Sequence, residues 1–320
     1  MNATSSVRPS AVVFAYHNVG VRGLLTLLAR DVDVRLVVTH RDSPNETIWF
    51  GSVHDVAVER GLDVRYAEDL DAAALHDAVA AVAPDFVFSF YFRHMLPVAV
   101  LGLARVGAYN LHGSLLPKYR GRVPINWAVL HGETETGATL HEMVAKPDAG
   151  AIVAQTPVPI LPDDTAHEVF GKVVVAAEQT LWRALPDLVA GTPLRIPNDL
   201  ARGSYFGGRR AEDGRIDWTA SALDVHNLVR AVAPPYPGAT TTVDDRPLTI
   251  ERTRTGALAP AHDGPDRGPL LVVSGERCVV RCGDGRWLAV AAASLDGERG
   301  DERALAARLG TGLHRLGTPA

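Results

Sequence analysis

Phe86-Val87-Phe88-Ser89-Phe90, then Tyr91-Phe92-Arg93-His94-Met95-Leu96, then a short segment ending Asn110-Leu111-His112: this stretch decides how the chain folds. A continuous apolar run of this kind suits a parallel strand buried on both faces. The second segment is also strand-like. Residues two apart on a strand point to one side, so Asn110 and His112 share a face. The loop Gly113-Ser114-Leu115-Leu116-Pro117-Lys118-Tyr119-Arg120-Gly121-Arg122 follows, and the stretch closes at Lys146-Pro147-Asp148-Ala149-Gly150. A carboxamide, an imidazole and a carboxylate at the ends of β-segments are the groups that acyl transfer to an amine requires.

Towards the N-terminus the pattern repeats. Residues 11–15 form another buried run, followed by Tyr16-His17-Asn18-Val19-Gly20 and by Leu24, Leu25, Leu27 and Leu28 at helical spacing. Residues 32–38 and 62–66 read as further strands. Ser52 caps a helix that Gly61 ends, and residues 71–82 form an alanine-rich helix. Strands alternating with helices predict a parallel, doubly wound α/β sheet, whose ligands lie beyond the carboxyl ends of its strands. The first turn has only Gly20 and Gly23, not a G-x-G-x-x-G element, so it gives a dinucleotide site little support.

Towards the C-terminus, Pro124 opens a short helix to Leu130, and residues 138–144 and 151–155 flank the Asp148 loop as strands. Thr165 to Glu168 is a capping box before a helix reaching about Val189. Between 195 and 215 the composition shifts to Gly, Arg and Asp and periodicity is lost. Beyond a helix at Ala222–Val232 come five short strands at 239–243, 248–251, 270–273, 278–281 and 287–292. The Gly, Asp and Pro turns between them suggest a small barrel or sandwich. Residues 255–268 read as a loop and 301–309 as a last helix. The expected division is a disordered leader over 1–9, a catalytic domain over 10–197, a linker over 198–212 and a second domain over 213–315.

A chain of 320 residues has room for two domains and a sizeable core. A net charge of −5 argues against nucleic acid as the main partner, because phosphate binding needs a basic surface. No apolar run reaches about 18 residues, so no membrane helix is expected. Cys278 and Cys282 lie four apart on an expected strand, with Cα atoms roughly 13 Å apart, beyond disulfide reach. Free thiols suit a reducing, cytoplasmic location. His94, His112, His141 and Asp148 match no common ligand spacing, and no metal is expected.

The run Asn110-Leu-His-Gly-Ser-Leu-Leu-Pro-Lys-Tyr-Arg-Gly121 resembles the folate-dependent formyltransferases, which act on methionyl-tRNA, glycinamide ribonucleotide or sugar nucleotides. Gly132 to Thr136, Asp148-Ala-Gly150, Ile216-Asp217-Trp218, Asn227 to Val232 and Pro235 to Ala239 extend the likeness over most of the chain. Val13-Phe-Ala-Tyr-His17, Phe88 to His94 and Lys118-Tyr-Arg-Gly-Arg122 look most like the formyltransferase domain of bifunctional UDP-4-amino-4-deoxy-L-arabinose enzymes. The resemblance implies a Rossmann-like domain followed by an oligonucleotide/oligosaccharide-binding (OB)-like β-barrel. It implies Asn110, His112 and Asp148 as a catalytic trio and N10-formyltetrahydrofolate as co-substrate. It places folate contacts at His94, Met95 and Leu96, at Ser114, Leu115, Leu116 and Pro117, at Arg122, and at Val144, Ala145, Lys146, Pro147 and Asp148.

Two departures from the family pattern bear on the acceptor. The chain is too short to carry a decarboxylase as well, which leaves the sugar open. The tRNA-acting members have a basic loop insertion, whereas His40-Arg-Asp-Ser-Pro-Asn-Glu-Thr47 is short and sets Arg41 against Asp42 and Glu46. The expected acceptor is therefore a small-molecule amine on a nucleotide-linked sugar. Charged tRNA, water (formyl-folate hydrolysis) and a non-catalytic binding or scaffold role are the alternatives. Tyr16, His17, Asn126 and Trp127 are candidate walls for the acceptor, or plain helix and turn packing. In the expected mechanism His112 moves the proton, Asn110 donates to the developing oxyanion and Asp148 orients the imidazole. The barrel is open to two roles, homodimer contact and substrate contact.

Overall fold

The computed structural model describes residues 8–44, 46–260 and 269–317. The expected leader lies outside the described residues except at positions 8 and 9, as do Asn45 and most of the end of the 255–268 loop. The chain runs β1 (Ser10–Ala15), α1 (His17–Ala29), β2 (Asp33–Thr39), α2 (Val53–Glu59), β3 (Val64–Tyr66), α3 (Ala72–Val82) and β4 (Phe86–Phe90). It continues α4 (Val98–Leu101), β5 (Gly107–His112), β6 (Arg120–Gly121), α5 (Pro124–Leu130), β7 (Glu135–Glu142), β8 (Ile152–Pro159), α6 (Ala166–Val189) and β9 (Tyr205–Phe206). Two compact units result. The first comprises the chain to Pro124, Thr136–Val158 and Gly171–Phe206; the second comprises Ile125–Glu135, Pro159–Phe170 and everything from Gly207 onward.

The first unit is built on a seven-stranded sheet in the order β3-β2-β1-β4-β5-β7-β8. Strands β1 to β5 pair in parallel, as their continuous apolar runs predict. One face buries Val12, Phe14, Leu36, Val38 and Val87 under Val79 of α3 and Val100 of α4. On α1, side chains at Gly20 and Gly23 would strike Val53 of α2 and the Phe90 ring, so this helix approaches its neighbours closely only as glycine. The all-parallel expectation fails at one place: β7 runs antiparallel to β5, with Asn110 opposite His141 and His112 opposite Thr139. The eleven-residue connection from β5 to α5 turns the chain back, so β7 arrives reversed.

The second unit carries α7 (Ala222–Val232), β10 (Ala239–Val243), β11 (Arg246–Ala257), β12 (Leu270–Ser274), β13 (Arg277–Arg281), β14 (Trp287–Leu295), β15 (Glu298–Asp301), α8 (Glu302–Leu309) and β16 (Gly312–Gly317). The order β11-β10-β16-β12-β13-β14, closed by a β14–β11 pairing, makes a six-stranded barrel with β15 at its side. The barrel resolves the choice left by the sequence, and it needs one strand the sequence does not announce, β16. Gly312-Leu-His-Arg-Leu-Gly317 is short, has two adjacent polar residues at its centre and is bounded by glycine, yet it joins β10 to β12. Val225, Val229 and Val232 on one stripe of α7 pack into the barrel core with Leu248, Ile250 and Leu288. Cys278 and Cys282 are free and buried there.

Candidate active site

In a doubly wound sheet the ligand crevice opens where the strand order reverses, here between β1 and β4. The chain leaves that edge at Tyr16, His40, Tyr91 and Gly113, each just past a parallel strand. Several of the residues there hold positive φ without being glycine: His17 (67°), Tyr91 (56°), Tyr119 (55°) and Asp148 (47°). Each such residue costs of order 1–3 kcal/mol and persists only where its surroundings fix it, and such residues concentrate at functional sites.

His112 ends β5 almost fully buried. Its Nε2 donates to the Tyr119 carbonyl at 2.7 Å, and its Nδ1 faces Asp148 Oδ1 at 3.5 Å. The Tyr119 carbonyl can only accept, so Nε2 carries a proton and Nδ1 is the nitrogen turned towards the carboxylate. Asp148 Oδ2 accepts the Gly121 backbone N–H at 2.8 Å. Burial pushes the Asp148 pKa up. The His112 charge, the His141 ring and the Gly121 N–H outweigh it and hold the carboxyl well below the usual range. Asn110 sits two residues before His112 on the same face, its Nδ2 3.1 Å from His141 Nε2.

The loops around this centre are tied down. Thr139 Oγ1 donates to the Ser114 carbonyl at 2.6 Å and accepts from Leu116 N at 3.1 Å. Ser114 Oγ donates to the Lys118 carbonyl, and Tyr119 N donates to Ser204 Oγ. Asn198 Nδ2 donates to the carbonyls of Asp148 and Gly150 at 3.0 and 3.1 Å. Residues 198–206, in the stretch that reads as linker, thus clasp the site through Asn198, Ser204 and the β9–β6 pairing.

Asn110, His112 and Asp148 come together. Of the other expected residues, His94, Met95, Val144, Ala145 and Lys146 are exposed and Leu115, Pro117 and Pro147 half-buried. Phe92, Leu96 and Met143 share one core cluster, so the 92–96 and 143–148 loops lie side by side. With Met95 61 % and Val144 43 % exposed, these loops offer apolar surface of the kind a flat heterocycle covers. Arg122 is exposed, with no acidic partner among the described residues.

Five of the expected residues are buried or bonded within the protein. Ser114 has no exposed surface and Leu116 is buried, and the Ser114 hydroxyl ties the loop to the Lys118 carbonyl. Tyr16 is buried with its hydroxyl donating to Asp42 at 2.7 Å. Asn126 belongs to the second unit, where it is buried and donates to the Ala231 carbonyl at 2.8 Å. Trp127, in the same unit, donates to the Gly207 carbonyl under the Arg209 guanidinium. His17 remains at the crevice, stacked on Phe50 with centroids 3.8 Å apart and edge-on to Trp49. The Tyr91 hydroxyl next to it lies against Gly113, where a methyl group would overlap it. His141, Asn198, Trp49 and Phe50 are site neighbours that the sequence did not flag. Only the antiparallel β5–β7 register reveals His141.

Comparison with known proteins gives a consistent result. A sequence model described as formyl transferase matches residues 25–185, and one for the formyl transferase C-terminal domain matches residues 209–300. Among solved structures, the N-formyltransferase from Helicobacter canadensis, in complex with folinic acid and dTDP-3-aminofucose, is 19 % identical with a TM-score of 0.65, over 89 % of this chain and 99 % of that one. WlaRD, a sugar 3N-formyl transferase in the presence of dTDP and 5-N-formyl-THF, is 17 % identical with a TM-score of 0.64, over 89 % and 97 %. HypX from Aquifex aeolicus, in complex with tetrahydrofolic acid, is 16 % identical with a TM-score of 0.63, over 94 % of this chain and 47 % of that one. At these identities the likenesses establish the fold.

Proposed function

The chain belongs to the formyl transferase family, and from that premise we propose that it moves a formyl group from N10-formyltetrahydrofolate to the primary amine of a nucleotide-linked amino sugar. The observation that carries the reading is the meeting of Asn110, His112 and a strongly ionised Asp148 beside exposed apolar loops. Structural relatives that bind a folate together with a dTDP-sugar or dTDP support the acceptor class. The loop after β2 supports a small acceptor over a polyanion. Arg41 is paired with Asp69 at 2.5 Å and Arg93 with Glu46 at 2.6 Å, leaving little free positive charge there.

In the proposed mechanism the 92–96 and 143–148 loops hold the folate and the His17 crevice receives the acceptor. The neutral amine attacks the formyl carbon. Charge gathering on the formyl oxygen meets an Asn110 N–H, and one such donor is worth roughly 3 kcal/mol. The amine sheds a proton as the new C–N bond forms, and the folate nitrogen gains one as the old bond breaks. The His112 imidazole, whose ordinary titration range spans neutral pH, is the group that carries that proton in transit, and the charged Asp148 beside it orients the ring. We assign this chemistry to residues 10–197, with a cytoplasmic setting, and leave the barrel to acceptor contact or to a homodimer interface.

The test is incubation with N10-formyltetrahydrofolate and a panel of amino-sugar nucleotides, free amino acids and charged tRNA, read by mass spectrometry. Formylated sugar nucleotide is the expected product. Formylation of charged tRNA alone would overturn the acceptor, formate release without an acceptor would mark a hydrolase, and no turnover would mark a binding module.

A further inference from the structure

We propose that His141 is a positioning residue that decides which end of the Asn110 carboxamide faces the reacting oxygen; this rests on the formyl-transfer reading above. The two residues stand directly opposite one another on β5 and β7. His141 is 2 % exposed, so water does not compete for its ring. Its Nδ1 lies 2.8 Å from the Glu142 carbonyl. A carbonyl can only accept, so Nδ1 carries a proton; the Asn110 Nδ2 can only donate, so it meets Nε2 as a lone pair. That lone pair is 3.1 Å from the Asn110 Nδ2.

Asp148 Oδ1 is also near His141 Nε2, but at 3.5 Å it lies at the edge of hydrogen-bond range, against 3.1 Å for the Asn110 amide. The Asn110 amide is the better partner for that nitrogen. The other ring in view, His112, has its centroid 6.4 Å away and is engaged with Tyr119 and Asp148.

The two ends of a carboxamide are nearly equal in shape, so only its hydrogen bonds fix which end is the donor. With one N–H given to His141, the same nitrogen keeps a second N–H for a developing negative charge. Without an acceptor opposite, the amide is free to turn and present its oxygen, which repels that charge. The support extends one layer further. The Glu142 carbonyl is pressed against Gly150, where any side chain would overlap it, so the group that sets the His141 tautomer cannot swing away. This gives Gly150 a task distinct from that of Asp148 two residues earlier.

The test compares two near-isosteres. In His141→Gln the side-chain amide reaches about where Nε2 lies and can still accept from Asn110. In His141→Asn it reaches only to Nδ1, keeping the Glu142 contact and losing Asn110. The expected result is that H141N lowers kcat about 10- to 100-fold with both KM values within about threefold, while H141Q stays within about fivefold of wild type. Adding H141N to N110A should cost little more than N110A alone, because the two act as one unit. Should H141N not fold, H141Q against His141→Met, which fills the space with a much weaker acceptor, makes the same comparison. Equal activity of H141N and H141Q (or of H141M and H141Q), or losses that add in the double variant, would overturn the inference while leaving the reaction standing. A wild-type protein inert towards every amine would bring down both.

Discussion

His112 in the sheet unit and His314 in the barrel have the same partners: each imidazole lies between a carboxylate and a backbone carbonyl. His314 Nδ1 meets Asp244 at 2.7 Å and its Nε2 donates to the Gly310 carbonyl at 3.0 Å. In the sheet unit the carboxylate stands back at 3.5 Å, is buried, and is shared with His141 and the Gly121 N–H. In the barrel it is close and half exposed. The contrast teaches that a histidine–aspartate pair is not by itself a site. A short exposed pair clamps a hairpin, whereas a loose, buried pair can respond to charge that arrives with a substrate.

The largest expected effect separates the two pairs by activity. His112→Ala or Asp148→Asn should lower kcat roughly 10²- to 10⁴-fold, with melting temperature checked alongside. His314→Ala should leave turnover per folded molecule unchanged. A strong loss of kcat in a folded H314A would erase the distinction.

A smaller effect concerns stability. H314A should cost about 1 kcal/mol, or roughly 2–4 °C in the melting of the barrel, since Asp244 is half exposed and the pair is partly screened. The His314 hydrogen bond is the main cause that lowers the Asp244 pKa. A lowered carboxyl pKa contributes stability above the ordinary value, and that stability is lost as pH falls through the folded value. The difference between wild type and H314A should therefore be full at pH 7 and close below about pH 4. A difference independent of pH would assign the clamp to packing.

The smallest effect uses a third histidine. His226 Nε2 donates to the Pro162 carbonyl at 3.0 Å and Nδ1 accepts from the Thr253 hydroxyl at 2.8 Å, so a neutral ring satisfies both. Burial lowers its pKa, against the opposing pull of the Pro162 carbonyl. Its contribution is present above the ordinary histidine value and drains as pH falls. The unfolding free energy from denaturant titrations should fall by about 1 kcal/mol or less between pH 7.5 and 5.5, and the fall should shrink in His226→Gln.

The sheet unit was legible because its strands are continuous apolar runs, as at Phe86 to Phe90, and because Thr165 and Glu168 do form the capping box. Asn110 and His112 could be placed on one face by the two-residue strand period alone. His141 could not, because its relation to Asn110 depends on β7 running antiparallel, and no local pattern encodes strand direction. Asn198 was hidden for a different reason: its contacts are to backbone carbonyls fifty residues away. The barrel was half legible, since β16 has neither a long apolar run nor β-branched residues to mark it.

The second unit is assembled from chain segments far apart in sequence. Asn126 reaches its carbonyl partner 105 residues later, and Pro162 meets His226 after 64. On a growing polypeptide, Ile125–Glu135 and Pro159–Phe170 therefore emerge well before the strands that will cover them. A fragment cut after Phe206 would carry those two orphaned segments with it, so severing the chain there does not yield a clean half.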